Sequence, residues 1–576
     1  MGIRSKYQIT GVMVLVLAVY FNAIFGGINS VDDSHIIERY GVNGYLTLKD
    51  VLMPGNGFYY RPLIELTYFL DHRFWGLDKS FMHLENIILH ALNTALVYLI
   101  ARRFARFQQH SLPAFPFLSA GLFALHPINT EAVSWIAGRT DPLAALFVLT
   151  ATLLLLMYLE TNRTTVLVAS LMIGGIGSLA KETAILFLPM ALLFLLRWPT
   201  GAGSTPPVFS QRKTGILIVL GTMAGGAALI LMHLLGRRGG EALLMIFDAS
   251  SWGSAGSSLF VGLKALGFYA KKLCIPFPQN FAIASVDDAY AILAIPVLVL
   301  VAVAVRRTTV GSLFVVASFL FIIPPVIVSV AGITWTPVAE RYLYLPAAFF
   351  SLSVTGYGML WLQKVNRPRL AVPVFSMLLI LAGLAVMQRN TVWHDNLSLY
   401  SDTVSKSPEF APARNALAVA LIEAGRVEEG RAELRVARTL QKSNAGYLID
   451  MNLLLQQLAA LPLEEAREQL LPLVKDRDKA DPNVLKMLAD VDEERLAMEQ
   501  DAARTREIAA EIVDINDARY LRKADPFLLY RNGQLSLVLE NRIKAREYFQ
   551  RAAETANDED HFKAAAKVLH GRLSKE

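Results

Sequence analysis

The sequence predicts an all-α protein in two parts, a polytopic membrane helix bundle followed by a soluble helical repeat domain. Hydrophobic residues form 54% of the 576 residues and charged residues only 18%, with a mean hydropathy of +0.40. These values exclude a single soluble globular domain. Charged residues form about 12% of residues 1–390 but about 32% of residues 391–576. This contrast predicts a membrane domain over 1–390 and a soluble domain over 391–576.

The membrane part contains about eleven apolar stretches that predict transmembrane helices, because roughly 17 to 25 apolar residues can span a bilayer core. They lie near residues 8–28, 84–101, 115–126, 142–159, 165–180, 183–197, 214–235, 290–305, 311–331, 342–362 and 370–388. The first follows Arg4 and Lys6, but its length and the lack of a small-residue cleavage site favour a retained anchor over a signal peptide.

Basic residues gather in alternate loops and predict the orientation of the bundle. They are Arg102, Arg103, Arg106, Arg163, Arg197, Arg212, Lys213, Arg306, Arg307, Lys364, Arg367 and Arg369. The positive-inside rule places these loops and the N-terminus in the cytoplasm. Loops 29–83, 126–141, 236–289 and 332–341, and the chain after 388, then face the extracytoplasmic side.

The global charge gives no reason to expect a nucleic-acid partner. The net charge of +6 combines +11 over residues 1–390 with −5 over the remainder, and short cytoplasmic loops account for much of the basic excess. Cys274 is the only cysteine, so an intrachain disulfide and a thiolate zinc cluster are both excluded.

The soluble part has the spacing of small and apolar residues that is typical of two-helix tetratricopeptide repeats. One repeat begins at Pro408, and residues 526–556 repeat its pattern. Such units stack into a solenoid with a concave surface suited to extended peptides. A plain helical bundle is the less favoured alternative.

Two adjacent carboxylates, Asp32 and Asp33, follow the first apolar stretch. Their mutual repulsion raises the pKa of one of them, and a carboxylate near a membrane surface can act as a general base. A solvated turn or helix cap explains the same residues equally well.

Further polar residues lie at the outer boundaries of later spans, where they are costly unless they face protein or a wet cavity. His83, Asn86 and His90 share one helix face, and satisfied core histidines are favoured there over metal ligands. The other residues are Tyr60, Arg61, His126, Glu131, Arg139, Asp141, Lys181, Glu182, Glu340 and Arg341. Carboxylates with Arg and Lys at a lipid interface indicate the handling of a lipid-linked phosphate. Transport of an anionic lipid fits this pattern almost as well.

The motifs resemble those of the transmembrane and tetratricopeptide-repeat O-mannosyltransferase family. They are the aspartate pair, YRPL with HLENIILHALN, LFALHPINTEAVSWIAGRTD, AKET and ERYLYLP, in this order. The resemblance covers essentially the whole chain and implies the type C glycosyltransferase fold, with a polyprenyl-phosphate-linked sugar as donor. The short repeat tail is similar to that of a bacterial member, which implies a bacterial inner membrane.

The resemblance implies that Asp32 is the catalytic base that deprotonates a Ser or Thr hydroxyl of an acceptor protein, with inversion at the sugar. Asp33 takes a position that is often Glu in this fold, which leaves either aspartate as the base. Arg61, Arg139, Lys181 and Arg341 are the candidates to stabilise the lipid phosphate. His83, His126 and Glu131 are expected to orient Asp32 rather than to hold a divalent metal ion, and Tyr60, Asp141, Glu182 and Glu340 to support the site. No cofactor is required, although a divalent ion is compatible with these residues.

Two other functions fit parts of the sequence. One is a non-catalytic, membrane-anchored repeat scaffold, and the other is a transporter of lipid-linked sugars. Charged groups concentrated at outer helix ends, rather than at the midplane of two matched halves, argue against the transporter. Within the enzyme interpretation, the repeat domain is expected to hold acceptor proteins near the site.

Overall fold

The computed structural model describes most of the chain. The described residues are 3–42, 48–52, 60–107, 113–198, 209–235, 255–307, 309–332, 334, 336–441, 447–477, 479–522, 524–556, 560 and 562–575. Within these ranges the chain is helical, and the single antiparallel bridge between Ile283 and Val338 belongs to no strand. The predicted all-α class is therefore confirmed. Parts of the predicted outer loops, at 43–47, 53–59 and 236–254, lie outside the described residues.

The chain forms two compact units, Met1–Leu417 and Ala418–Glu576. Helices of the first unit are α1 (Ile3–Val19), α2 (Asp33–Ile37), α3 (Leu48–Leu52), α4 (Pro62–Trp75), α5 (Lys79–Phe107), α6 (Phe115–Ala124), α7 (Thr130–Ser134), α8 (Thr140–Thr161), α9 (Thr164–Gly177), α10 (Phe187–Arg197), α11 (Phe209–Leu235), α12 (Ala255–Cys274), α13 (Ala289–Arg306), α14 (Val310–Leu320), α15 (Ile323–Ala331), α16 (Tyr344–Lys364), α17 (Ala371–Val392) and α18 (Asn396–Lys406). The boundary between the units falls within α19 (Ala411–Glu423).

Every predicted apolar stretch contains a helix. Among the described residues, six helical stretches are long and apolar enough to cross a membrane, namely Lys79–Ala105, Ala137–Thr161, Ala289–Arg306, Gly311–Ala331, Glu340–Lys364 and Pro368–Val392. Shorter apolar helices cover Ser5–Val19, Phe115–Ala124, Thr164–Gly177 and Lys213–Gly226. The chain is thus a multi-pass membrane protein, while the number of eleven crossings stays a prediction.

Local sequence explains where several of these helices begin, end and break. α8 ends at Thr161 and is followed by Asn162, which has a left-handed φ of 54°, a conformation that asparagine tolerates at a helix C-terminus. The predicted stretch 311–331 is two helices, α14 and α15. The break precedes Pro324 and Pro325, which lack backbone N–H donors and are best tolerated in the first turn of a helix.

The bundle has two chemically different ends. At the end where α5 and α8 begin, Asn86 donates a hydrogen bond to the carbonyl of Trp135. At the opposite end, Arg103 of α5 is paired with Glu160 of α8. A helix of 29 residues such as α5 is about 43 Å long at 1.5 Å per residue. We call the first end the motif end and the second the basic end.

The segments predicted as outer loops contain helices of their own. α4 and α12 both lie in these segments, and neither belongs to a predicted span. Lys264, Lys271 and Lys272 make α12 more polar than its membrane neighbours. These two helices supply residues to the site described below.

The second unit consists of consecutive helices. After α19 they are α20 (Val427–Leu440), α21 (Tyr447–Leu458), α22 (Leu463–Leu470), α23 (Pro482–Met498), α24 (Ala502–Arg522), α25 (Pro526–Val538), α26 (Arg542–Thr555) and α27 (Lys563–Leu573). The two segments with the repeat pattern form the helix pairs α19/α20 and α25/α26. Gly533 allows α25 to approach α26, because a Cβ atom there would lie 2.6 Å from the Phe549 ring. The tetratricopeptide interpretation and its concave surface stay predictions.

Candidate active site at the motif end

The two adjacent aspartates have different environments. The side chain of Asp33 is buried, with 2% exposure. Its Oδ2 accepts a hydrogen bond from the Asn29 N–H at 2.9 Å, and its Oδ1 accepts one from the Ala137 N–H at 2.8 Å. Asp32 is exposed at the N-terminus of α2 and makes no capping hydrogen bond. Asp33 thus ties the loop to the segment before α8, and Asp32 is accessible.

Burial dominates the protonation of Asp33. It raises the pKa of this carboxyl to about 7, and the adjacent charge of Asp32 adds to the rise. The N–H groups of Asn29 and Ala137 favour the carboxylate and act in the opposite direction. A carboxyl that is already hydrogen-bonded on both oxygens is better suited to hold the loop than to exchange protons with a substrate.

An ion pair between the buried Glu131 and the partly buried Arg341 links the 126–141 segment to the ERYLYLP motif. Glu131 accepts hydrogen bonds from Arg341 through both of its oxygens, at 2.7 Å from Nη1 and 3.2 Å from the backbone N–H. The guanidinium lies 5.3 Å from the centre of the Trp135 ring and 5.0 Å from that of Tyr342. Burial raises the pKa of the Glu131 carboxyl, and the Arg341 charge opposes this rise.

A second ion pair links the start of α8 to the AKET motif. Lys181 donates to Oδ1 of Asp141 at 2.5 Å, and both residues are buried. The Lys181 ammonium also lies 5.1 Å from the centre of the Tyr342 ring. Tyr342 thus contacts two of the predicted phosphate-binding cations, Lys181 and Arg341.

The AKET motif is linked in turn to the YRPL motif. Arg61 forms a two-pronged pair with Glu182, at 2.9 Å from Nε and 2.8 Å from Nη2. The Glu182 side chain is 56% exposed, so this pair lies at the surface of the unit. The neighbouring Tyr60 hydroxyl donates to the Leu52 carbonyl at 2.9 Å.

Arg139 is surrounded by protein partners. It is 1% exposed, and its guanidinium contacts Asp71 at 2.6 Å, Glu85 at 3.0 Å, the Asn86 side chain at 2.9 Å and the Met82 carbonyl at 3.1 Å. The geometry fits a residue that fixes the start of α8 against α4 and α5 better than one that contacts a lipid phosphate.

The two predicted site histidines, His83 and His126, contact backbone groups. His126 donates from Nε2 to the Leu273 carbonyl at 2.9 Å and accepts at Nδ1 from the Ile128 N–H at 3.3 Å. Burial lowers the pKa of His126 to about 4, so its ring is neutral. His83 lies 3.4 Å from the Gly27 carbonyl, beside the loop that carries Asp32. In the part of the chain that the structure describes, no three His, Cys, Asp or Glu side chains form a group suited to a metal ion.

Sequence reasoning missed two charged residues at this end of the bundle. Asp71 of α4 contacts Arg139, and Lys272 of α12 is paired with the buried Glu340. The Asn280 N–H also donates to Glu340, at 3.3 Å. Polar residues in a strongly apolar helix are visible in a sequence, but Asp71 and Lys272 lie among other charged residues, so nothing in the sequence distinguishes them.

The structure therefore brings the five sequence motifs together. Contacts join the aspartate pair to the segment before α8, that segment to ERYLYLP and to AKET, and AKET to YRPL. The joining pairs are Asp33–Ala137, Glu131–Arg341, Asp141–Lys181 and Arg61–Glu182.

Part of this cluster lies in a region of the chain that is similar to known protein mannosyltransferases. A family model described as dolichyl-phosphate-mannose-protein mannosyltransferase matches residues 74–205. Protein O-mannosyl-transferase TMTC1 of Homo sapiens is 38% identical over 151 residues, which cover 23% of this chain and 16% of the relative. The resemblance to the TMTC-like O-mannosyl-transferases is confirmed. Residues 74–205 include His83, His126, Glu131, Arg139, Asp141, Lys181 and Glu182.

Two further relatives extend the match along the chain. Protein O-mannosyl-transferase Tmtc1 of Drosophila melanogaster is 28% identical over 218 residues, which cover 36% of this chain and 25% of the relative. A protein O-mannosyl-transferase of Caenorhabditis elegans is 25% identical over 379 residues, or 61% of this chain and 49% of the relative. The chain thus spans about half the length of this last relative and a quarter or less of the other two. No solved structure matches the chain.

Proposed function

We propose that this protein is an integral-membrane glycosyltransferase that moves a sugar, mannose or another hexose, from a polyprenyl-phosphate carrier to Ser or Thr hydroxyls of exported proteins. The observation that carries the proposal is the convergence of the five motifs at one end of the bundle, where the buried Asp33 holds the exposed Asp32 in place. Relatives that are named protein O-mannosyl-transferases support this class of reaction.

In the proposed reaction the Asp32 carboxylate takes the proton from the acceptor hydroxyl. The hydroxyl oxygen forms a bond to the anomeric carbon as the bond from that carbon to the lipid phosphate oxygen breaks, which inverts the configuration. The phosphate leaves with the bonding electron pair. It needs charge stabilisation more than a proton donor, because a phosphate ester oxygen is already a good leaving group.

Arg61, Lys181 and Arg341 are the proposed phosphate-stabilising cations. Each has a carboxylate partner, Glu182, Asp141 and Glu131 respectively. These pairs fix the cations before substrate arrives, so less conformational entropy is lost on binding. Arg139 and Glu340 instead hold the site together, Arg139 through Asp71 and Glu340 through Lys272.

The same reaction gives the other parts of the molecule their proposed roles. The motif end faces the extracytoplasmic side, and the basic end faces the cytoplasm, in agreement with the positive-inside rule. The second unit binds acceptor proteins and raises their concentration near the site.

The direct test uses the full-length protein in lipid nanodiscs with a synthetic polyprenyl-phosphate hexose and Ser- or Thr-containing peptides. Mass spectrometry should show a hexose-sized gain on the peptide with the native chain. Asp32→Asn should abolish this gain, because an amide cannot accept the proton, and should leave the fold unchanged.

The matched control is Asp287→Asn, which changes an exposed aspartate whose carboxylate accepts a hydrogen bond from the Ala289 N–H at the start of α13. Asparagine can cap a helix as well as aspartate, so this variant should retain native turnover. Full turnover by Asp32→Asn would remove Asp32 as the base. Absence of transfer by the native chain with every hexose donor would overturn the proposed reaction.

A further inference from the structure

The loop that carries Asp32 is held from two sides. Asp33 holds it on the side of α8. The loop also contacts the segment that follows the last membrane helix, residues 393–400. Gly27 favours this close approach, because a Cβ atom there would lie only 3.1 Å from the His394 carbonyl oxygen. The Gly27 N–H donates to that same carbonyl at 2.7 Å.

Asn396 binds the loop backbone as a neighbouring strand would. Its side-chain Oδ1 accepts a hydrogen bond from the Ser30 N–H at 3.1 Å, and its Nδ2 donates to the Ile28 carbonyl at 3.4 Å. One amide thus satisfies a donor and an acceptor of the loop. Asn396 is the first residue of α18, so the position of its amide is set by the start of that helix.

Tyr400, one turn further along α18, holds the loop side chains. Its ring is buried, with 1% exposure, and packs against Phe281. Its hydroxyl lies 2.8 Å from the Ser30 hydroxyl and donates to Oδ1 of Asn29 at 3.5 Å. The Asn29 N–H in turn donates to Asp33. Hydrogen bonds therefore run from Tyr400 through Asn29 to the carboxyl next to Asp32.

The helix that carries both residues is itself fixed in the first unit. Arg389 of α17 pairs with Asp402 of α18 at 2.5 Å. At the end of α18, the Ser407 hydroxyl accepts a hydrogen bond from Asn280 at 2.8 Å and donates one to the Ala282 carbonyl at 2.9 Å. α18 can therefore act as a rigid support for the loop.

We propose that Asn396 and Tyr400 are positioning residues of the transfer reaction, which hold the 28–32 loop so that the Asp32 carboxylate meets the acceptor hydroxyl. The inference rests on the proposed function, in which Asp32 is the base. Neither residue touches the proposed phosphate-binding cations, so their loss should affect the chemical step rather than donor binding. A misplacement of about 1 Å at a reacting group can slow a reaction on the order of 100-fold.

The experiment compares Tyr400→Phe and Asn396→Ala with the native full-length chain in nanodiscs. Both variants should lower kcat about 10- to 100-fold and leave KM for the polyprenyl-phosphate hexose within about twofold. Ser30→Ala combined with Tyr400→Phe should be no slower than the slower single variant, because both changes remove the same hydrogen bond. Backbone amides of residues 27–31 should exchange hydrogen faster in Tyr400→Phe.

The matched control is Tyr98→Phe. Tyr98 is also a buried tyrosine whose hydroxyl is hydrogen-bonded, to Gln8 at 2.7 Å and Ser5 at 3.1 Å, but at the basic end of the bundle. This variant should keep native kcat and native hydrogen-exchange rates at the backbone amides of residues 27–31. If Tyr400→Phe acted through a general loss of packing, both tyrosine variants would lose stability and KM would change.

Asp32→Asn separates failure of the inference from failure of the proposed function. If Asp32→Asn abolishes transfer but Tyr400→Phe and Asn396→Ala keep native kcat, the positioning role is overturned and the base assignment stands. If Asp32→Asn keeps native turnover, or the native chain transfers no sugar, the proposed function fails and the positioning role fails with it.

Discussion

Replacing Asp71 by Asn removes the charge closest to the buried Arg139 guanidinium. The side chain keeps its size and one oxygen acceptor, so the change acts mainly on charge. Arg139 and Asp71 are each 1% exposed, and their charged atoms are 2.6 Å apart. Loss of one partner from such a pair leaves the other charge buried and typically costs about 3–5 kcal/mol.

Glu85 reduces this cost. It lies 3.0 Å from the same Arg139 nitrogen, and its side chain is 32% exposed. We therefore expect a loss near the lower limit, about 3 kcal/mol, because one partly solvated carboxylate still compensates the guanidinium. The double variant Asp71→Asn with Glu85→Gln should be less stable than Asp71→Asn alone.

The assay is graded SDS denaturation of the full chain in mixed micelles, followed by tryptophan fluorescence. Glu182→Gln is the control, because the Arg61–Glu182 pair has similar distances but an exposed carboxylate, and exposed pairs contribute about 0.2–1 kcal/mol. The midpoint should fall clearly for Asp71→Asn and hardly move for Glu182→Gln. Equal midpoints for the two variants would refute the view that Arg139 is a buried structural charge.

Three other outcomes are expected. Lys272→Met should lower the denaturation midpoint, because it leaves Glu340 buried without its cation. The double variant with Glu340→Gln should recover most of the loss. No recovery would show that the Lys272 ammonium acts elsewhere. The pKa of Asp33 is about 7 in the folded protein against 3.8 in the unfolded chain, so the folded state binds this proton more tightly. Protonation of Asp33 therefore stabilises the fold. This stabilisation is complete below about pH 4 and is lost as the pH rises through 7. Asp33→Asn should flatten that part of the midpoint–pH curve, and an unchanged slope would contradict the assignment. Gly533→Ala should speed hydrogen exchange in residues 526–556, because its Cβ would overlap the buried Phe549 ring, whereas native exchange rates would mean that the helices can separate at no cost.

The sequence predicts the helices of this protein well because hydrophobicity is a local signal. A stretch such as 142–159 is apolar in itself, and it forms α8 wherever the rest of the chain lies. The same reasoning fails for α12, whose lysines lower its hydropathy although Lys272 is neutralised in the fold by Glu340, 68 residues away. Long-range ion pairing cannot be predicted from one sequence, so a helix such as α12 that depends on it is not predicted either.

The same holds for the site: residue types can be recognised in the sequence, but their partners cannot. Motif residues such as Asp33 and Arg341 can be recognised in the sequence, because charged groups beside apolar stretches are costly unless they have partners. The structure places both at the motif end. Which of the two aspartates is accessible depends on the Ala137 N–H, 104 residues away. Nothing in the sequence singles out Asn396 and Tyr400, which hold the loop, because Asn and Tyr are ordinary residues at the start of a polar helix.

These contacts give a physical reason for adjacent aspartates. In the proposed reaction the base must reach a substrate and therefore has to be exposed, but an exposed carboxylate on a short loop is mobile, and mobility lowers the fraction of time it spends in a reactive geometry. A second carboxylate next to it can be buried, because the N–H groups of Asn29 and Ala137 satisfy both of its oxygens. Asp33 then restricts the motion of Asp32, and the oxygen lone pairs of Asp32 stay available. Exchange of the two roles would require the 28–32 loop to turn over, which the Asn396 amide opposes by binding Ile28 and Ser30 together.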